Sequence, residues 1–145
     1  MIRSLLHYSR FANGAYIHAL ESNEVEDENS IVLMSHVLNA QHIWNARIRN
    51  RKPEFSTWDT HTYLEMKRLN ELGYENSVEI MASLNPTTPI NYQNQKGHNF
   101  TKTVQDVMLH IANHSTYHRG QVAMRLKELG LQPPASDYIF YSNEI

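Results

Sequence analysis

A chain of 145 residues carrying 13 basic and 15 acidic side chains, for a formal net charge of −2, has no broad basic field to track phosphates. Nucleic acid is therefore not an expected partner. Cysteine is absent, which excludes disulfides, zinc–thiolate sites and a cysteine nucleophile and fits a reducing cytoplasm. The length suits one domain, residues 1–145, with a single substantial core. Residues 1–7 lack the apolar run and cleavage pattern of a signal peptide, and no segment approaches the roughly 20 apolar residues of a bilayer span. A cytoplasmic protein without membrane contact is the expectation.

Residues 2–21 place Leu5, Ala12, Tyr16 and Leu20 or Ala19 at helical spacing. The acidic run 24–28 then precedes a second helix, predicted from about Asn29 or Ser30 to Lys52. Carboxylates thus stand before its positive end, while Arg47, Arg49, Arg51 and Lys52 occupy its negative end. Pro53 is expected to stop it. Leu33, Val37, Ala40, Trp44 and Ile48 form its apolar stripe, with His36 alongside.

A third helix is predicted from about Thr60 to Leu84, with Gly73 as a weak point costing about 1 kcal/mol against alanine. Asn85-Pro86-Thr87-Thr88-Pro89 ends it, and residues 90–98 read as a connector, with a short strand pair around 90–92 as the variant. Thr103-Val104-Gln105-Asp106 resembles a capping box, although the fourth helix has possible starts back to Asn99. That helix ends at Gly130, with Leu131 placed for a C-cap contact and Pro133-Pro134 following. The tail, 135–145, carries Tyr138, Ile139, Phe140 and Tyr141, enough apolar surface to pack. The predicted fold is all-α, an antiparallel four-helix bundle with a long connection between helices 3 and 4 or helices 2 and 3.

The chemistry concentrates in His114-Ser115-Thr116-Tyr117-His118-Arg119-Gly120-Gln121. Four residues advance a helix by about 6 Å and about 40°, so His114 and His118 can lean toward one ion. Val107 and Ile111 lie seven residues before them, so each imidazole extends an apolar stripe and needs a partner there. His110 and His114 share the same spacing, and periodicity leaves both pairs open. Further donors come from His36 or His42 on helix 2, with His36 nearer the stripe, and from His7 or His18 on helix 1. No HExxH motif is present and no glutamate stands three before a histidine, against zincin and di-iron schemes.

The stretch His110-Ile111-Ala112-Asn113-His114-Ser115-Thr116-Tyr117-His118-Arg119-Gly120-Gln121 resembles the C-terminal signature of the DinB-like, YfiT-like superfamily of metal-binding bundles. The resemblance continues through residues 126–131 and 133–138. Leu6-His7-Tyr8-Ser9-Arg10-Phe11-Ala12-Asn13 is similar to the family's opening, and Met34-Ser35-His36-Val37-Leu38-Asn39-Ala40 with Trp44 resembles the helix giving its first ligand. The resemblance implies three ligands, His36, His114 and His118, with His110 outside the set. Three neutral imidazoles leave a coordination position open, the pattern of a catalytic site. The implied ion is divalent, nickel or zinc first, with iron also suited to imidazole.

Some relatives are thiol S-transferases or thiol-dependent isomerases using bacillithiol, mycothiol or glutathione. The resemblance thus implies a metal-dependent transferase that activates a low-molecular-weight thiol against an electrophilic substrate, the sulfur arriving with the cofactor. Two alternatives stand beside it: a non-catalytic metal-binding stress-response protein, and a hydrolase using a metal-bound water. A homodimer is also implied. Gln121 is read as a hydrogen-bond partner for a ligand histidine or a filler between helices, Gly120 as permitting close helix packing, and Arg119 as part of the motif without a set role. Tyr8, Phe11, Tyr16, Trp44 and Trp58 are read as core or pocket wall, and Met81, Met108 and Met124 as core gap-fillers. The basic cluster Arg47–Lys52 is read as a solvated helix end, or as a seat for an anionic thiol's carboxylates.

Overall fold

Four helices account for most of the backbone in the computed structural model, which describes residues 1–141. They are α1 (Ile2–Ser22), α2 (Glu28–Ile48), α3 (Tyr63–Ser83) and α4 (Val104–Glu128). Between α3 and α4 lie two strands, β1 (Pro89–Gln93) and β2 (Asn99–Thr103), and a single 3₁₀ turn, Tyr138–Phe140, closes the described chain. The strands pair antiparallel, with Asn91 opposite Thr101 and Tyr92 opposite Phe100. The protein is therefore mostly helical rather than purely so. The connector expected over 90–98 is a hairpin whose strands extend beyond the suggested 90–92 on both sides, and it excludes a start of α4 at Asn99. Ile90, Tyr92 and Phe100 share one face, but β2 is exposed nearly throughout, so the period of two is confined to β1.

The helix ends follow local chemistry. Asp27 caps α2, its carboxylate accepting the Ser30 N–H at 3.0 Å. Reciprocal capping boxes start α3 (Thr62 with Glu65) and α4 (Thr103 with Asp106). At the other end of α4, Gly130 takes φ +77°, and the Leu131 N–H reaches back to the Leu126 carbonyl at 2.9 Å. The end of α2 differs from the expectation. It stops at Ile48, because Asn50 adopts φ +54° and the Arg51 N–H closes on the Ala46 carbonyl at 2.8 Å. Pro53 is not the stop signal, and Arg49, Arg51 and Lys52 lie beyond the helix.

Two of the helices, α1 and α2, each pack on both α3 and α4, and the buried apolar side chains form two clusters. Tyr16, Leu20, Met34, Leu38, Met66 and Val122 belong to one. Leu6, Ile48, Ile80, Val107, Met108 and Ile111 belong to the other. Along each helix the two groups are separated by buried polar residues: Asn13, Gln41 and Asn45, Asn70 and Ser77, Ser115 and Arg119. Most of those groups pair with one another, as burial requires. Gln41 Nε2 donates to Ser77 Oγ at 3.0 Å, Ser77 Oγ donates to Asn45 Oδ1 at 3.0 Å, and Asn13 Nδ2 donates to Asn70 Oδ1 at 3.2 Å.

Several side chains take places other than those expected. Leu6 rather than Leu5 is buried at the start of α1, and Leu33, Ala40 and Trp44 flank the core face of α2 while Met34, Leu38, Gln41 and Asn45 fill it. Gly73 is no weak point. A Cβ there would meet the Gln41 side chain at 3.0 Å, and Asn45 Nδ2 donates to its carbonyl at 3.0 Å, so the glycine lets α2 and α3 approach. Gly120 is exposed, with nothing within 4 Å of a would-be Cβ, and takes no part in close packing. Met108 is buried but Met124 is exposed. The tail reaches α1 through Tyr138 and Tyr141 on the Tyr8 ring, and Tyr8 Oη donates to the Ser136 carbonyl. Ile139 and Phe140 stay 84% and 71% exposed, and residues 142–145 lie outside the described residues.

Candidate metal centre

The centre forms where α2 lies along α4. His36 projects from α2, and His114 and His118 come from successive turns of α4. One donor nitrogen from each lies within 4.8 Å of the other two. His36 Nε2 and His114 Nε2 stand 3.0 Å apart. A tetrahedral ion with bonds of about 2.0–2.1 Å would hold two nitrogens roughly 3.3 Å apart, so this pair is nearly at ligand spacing. Three imidazoles supply the neutral nitrogen donors that zinc, nickel or iron prefer. The donor set fits a divalent ion.

Two of the three rings are oriented by their other nitrogen. His36 Nδ1 lies 3.0 Å from the Thr57 carbonyl, an acceptor only, so the proton belongs on Nδ1 and Nε2 presents its lone pair. His118 Nδ1 likewise donates to Gln121 Oε1 at 2.6 Å. Such partners fix the tautomer of a ligating histidine. His114 Nδ1 is buried without a partner. Burial, reinforced by the neighbouring His118 and His36, pushes the His114 pKa down to about 3. Burial also lowers that of His36, although the Thr57 carbonyl opposes the shift. Among His36 and His114, the cluster is thus held deprotonated, as ligation demands.

The carbonyl that aims His36 is itself held. Asn39 Nδ2 donates to the Asp59 carbonyl at 2.7 Å, while its Oδ1 accepts from His61 Nε2 at 2.7 Å. The His61 N–H donates to Ser35 Oγ at 3.1 Å. The α2–α3 loop is thereby stapled to α2 on both sides of Trp58, whose indole stacks on His36 at 4.1 Å and 12°. Although Trp58 is 58% exposed, it roofs the ring. The sequence reading assigned no role to Thr57, Asn39 or His61. Asn39, three residues after His36 on a helix with an apolar core face, was the available hint.

The remaining histidines stand apart from the cluster. His110 contacts Trp44 and His114 ring to ring, at 5.3 and 5.5 Å, but its nitrogens do not join the three. His42 accepts the Glu54 N–H at 2.9 Å, His7 packs between Tyr74 and Tyr141, and His18 is exposed. Arg119 points away from the cluster. It is 2% exposed, donates to Asn13 Oδ1 at 2.7 Å and lies over the Tyr8 ring, tying α4 to α1. Gln121 takes the hydrogen-bonding role of its two readings.

A cavity of about 280 Å³ opens onto His36 and His114. Trp44, Arg47 and Thr57 wall it from one side, and Tyr92, Asn94 and Gln95 of the hairpin from the other. Among the described residues, no acidic side chain lines it. A larger cavity of about 450 Å³ lies across Trp44 and Tyr92, beside His110, Lys102 and Asp106, and does not reach the three-histidine cluster.

Helices bearing three converging imidazoles beside an open cavity define a class: helical proteins with a site fit for a divalent metal. The DinB family profile matches residues 29–144, and the chain belongs to the DinB family. A stretch of 53 residues is 34% identical to Protein DinB of Bacillus subtilis (strain 168), covering 37% of this chain and 31% of that relative. The matched stretch thus spans about a third of that relative's length. No helix among the described residues is long and apolar enough to cross a membrane.

Proposed function

We propose that this chain, an antiparallel four-helix bundle, holds a nickel or zinc ion on His36, His114 and His118 and joins a low-molecular-weight thiol through its sulfur to an electrophile, the thiol proton passing to solvent. One observation carries the reading: three imidazoles converge beside a cavity that, among the described residues, has no acidic side chain in its wall. A bound divalent ion supplies positive charge that keeps a thiol ionised at neutral pH.

The chain's own groups do the rest. The Thr57 carbonyl and Gln121 Oε1 hold two rings with their Nε2 lone pairs free. Trp58 shields His36 from water on one face. The cavity beside His36 and His114 admits a small thiol, and the absence of cysteine means that the sulfur enters as a ligand. Hydrolysis would call for a carboxylate near the site to take a proton from water, and the cavity wall offers none among the described residues. That favours thiol transfer over the hydrolase alternative.

Elemental analysis followed by rate measurements with small physiological thiols and a chromogenic electrophile tests the proposal. Stoichiometric metal and a thiol-dependent rate well above that of His118→Ala are expected. Metal without any rate above the variant would leave the non-catalytic metal-binding alternative in its place.

A further inference from the structure

Among the described residues, the cavity beside the cluster contains one charged side chain, and that side chain has no ionic partner. Arg47, in the last turn of α2, lines the same wall as His36 and His114. Its guanidinium lies over the Trp44 ring at 4.7 Å and the Tyr92 ring at 5.5 Å, and both rings belong to the wall. Three other arginines are paired: Arg49 with Glu79 at 2.6 Å, Arg10 with Glu71 at 3.5 Å and Arg125 with Asp27 at 2.7 Å. Among the described residues, Arg47 has neither a salt bridge nor a side-chain hydrogen bond. Stacking on two aromatic faces restrains the guanidinium while leaving its N–H edges free.

We propose that Arg47 is the anion-recognising residue of this cavity, selecting small ligands that carry a carboxylate at the end opposite the group held at the histidines. This rests on the metal-site reading above and narrows its ligand class. The chemistry follows from the donor geometry: a planar fork of N–H groups matches the two oxygens of a carboxylate, and aromatic walls strengthen the pairing by excluding water. A cavity of about 280 Å³ at the small end of ligand pockets limits the ligand to a compact molecule. With no acidic wall residue among those described, an incoming anion meets no repulsion within the cavity.

Both tryptophans of the chain flank the site, Trp44 in the wall and Trp58 on His36, so intrinsic fluorescence reports occupancy. The test titrates mercaptoacetate and its neutral counterpart 2-mercaptoethanol into zinc-loaded native protein, Arg47→Gln and Arg47→Lys. Metal content and circular dichroism are checked for each. Native protein is expected to favour mercaptoacetate by about tenfold, Arg47→Gln to bind both alike, and Arg47→Lys to fall between, all with metal retained. A preference that survives in Arg47→Gln, or its absence from metal-loaded native protein, would overturn the inference. Should native protein bind no zinc, the metal reading fails separately. Acetate is then titrated into metal-free protein: a fluorescence response present in native and lost in Arg47→Gln supports the anion seat, and equal responses overturn it.

Discussion

The two connections that border the site are built in opposite ways. Between α2 and α3, residues 56–61 are tied to α2 by buried polar contacts from Asn39 and Ser35, and they deliver a carbonyl to His36 Nδ1. Between α3 and α4, the hairpin exposes nearly every β2 side chain and meets the site only through Tyr92, Asn94 and Gln95. The first connection fixes a donor atom; the second forms cavity wall. A metal site tolerates little positional error, because its bonds are short and directional, whereas a small-ligand pocket tolerates more. The division places the firmer loop beside the three imidazoles and leaves the far cavity wall to the hairpin.

Breaking the staple should have the largest effect. Asn39→Ala leaves His61 Nε2 and the Asp59 carbonyl without their partner, which costs about 1–3 kcal/mol of stability. The Thr57 carbonyl then no longer holds His36 in one tautomer, and metal affinity should drop roughly 10- to 100-fold. Competition with a chromogenic chelator measures this directly. Unchanged affinity in a folded variant would show that the loop does not aim the ring.

How far the sequence revealed this arrangement depends on the range of each contact. Thr103 with Asp106, and Gly130 with Leu131, mark the ends of α4 within a few residues, so those boundaries were readable. The His114–His118 spacing is equally local. His36 was distinguishable from His42 by its place beside Val37, but the residues that orient it come from a loop about twenty positions away and leave no periodic trace. Gly73 and Gly120 show the same limit from the other side. Helix propensity treats both glycines alike, yet only Gly73 faces a side chain from another helix, Gln41. The end of α2 went to Pro53 because proline is the louder breaker, while Asn50 achieves the reversal by adopting a left-handed backbone.

A smaller effect separates neutral staples from charged ones. The α1–α2 turn relies on Asp27, whose carboxylate accepts from Ser30 and pairs with Arg125 through both oxygens. The Arg125 guanidinium, aided by the Ser30 hydrogen bonds, holds the Asp27 pKa well below its ordinary value. A depressed carboxylate stabilises the fold fully above its unfolded pKa of about 3.9, and that contribution fades as pH falls toward the folded value. Between about pH 4 and pH 2, hydrogen exchange should therefore loosen the first turn of α2 in native protein. Asp27→Asn keeps a capping oxygen but not the charge, so it should lose up to about 1 kcal/mol at neutral pH and show a flatter acid response at that turn. An unaltered acid profile in Asp27→Asn would assign the sensitivity to other carboxylates.

The smallest expected effect is the sharpest test of the contrast between the two connections. Tyr92 packs on Trp44 at 5.0 Å and on Phe100 at 5.6 Å, and lies under Arg47, so Tyr92→Ala removes much of what the hairpin gives the cavity. Among the described residues, the ring contacts of Tyr92 are with Trp44, Phe100 and Arg47 and not with Trp58 or the three histidines. Losing the aromatic contacts costs about 0.5–1.5 kcal/mol per pair, spent on hairpin docking. Metal affinity should stay within about twofold of native, since the substitution removes none of the hydrogen bonds that orient the imidazoles, while 2-mercaptoethanol binding weakens by several-fold more. A metal affinity that falls as far as in Asn39→Ala would mean that the hairpin also supports the donor atoms, and that the site is one coupled unit rather than a fixed half and an adjustable half.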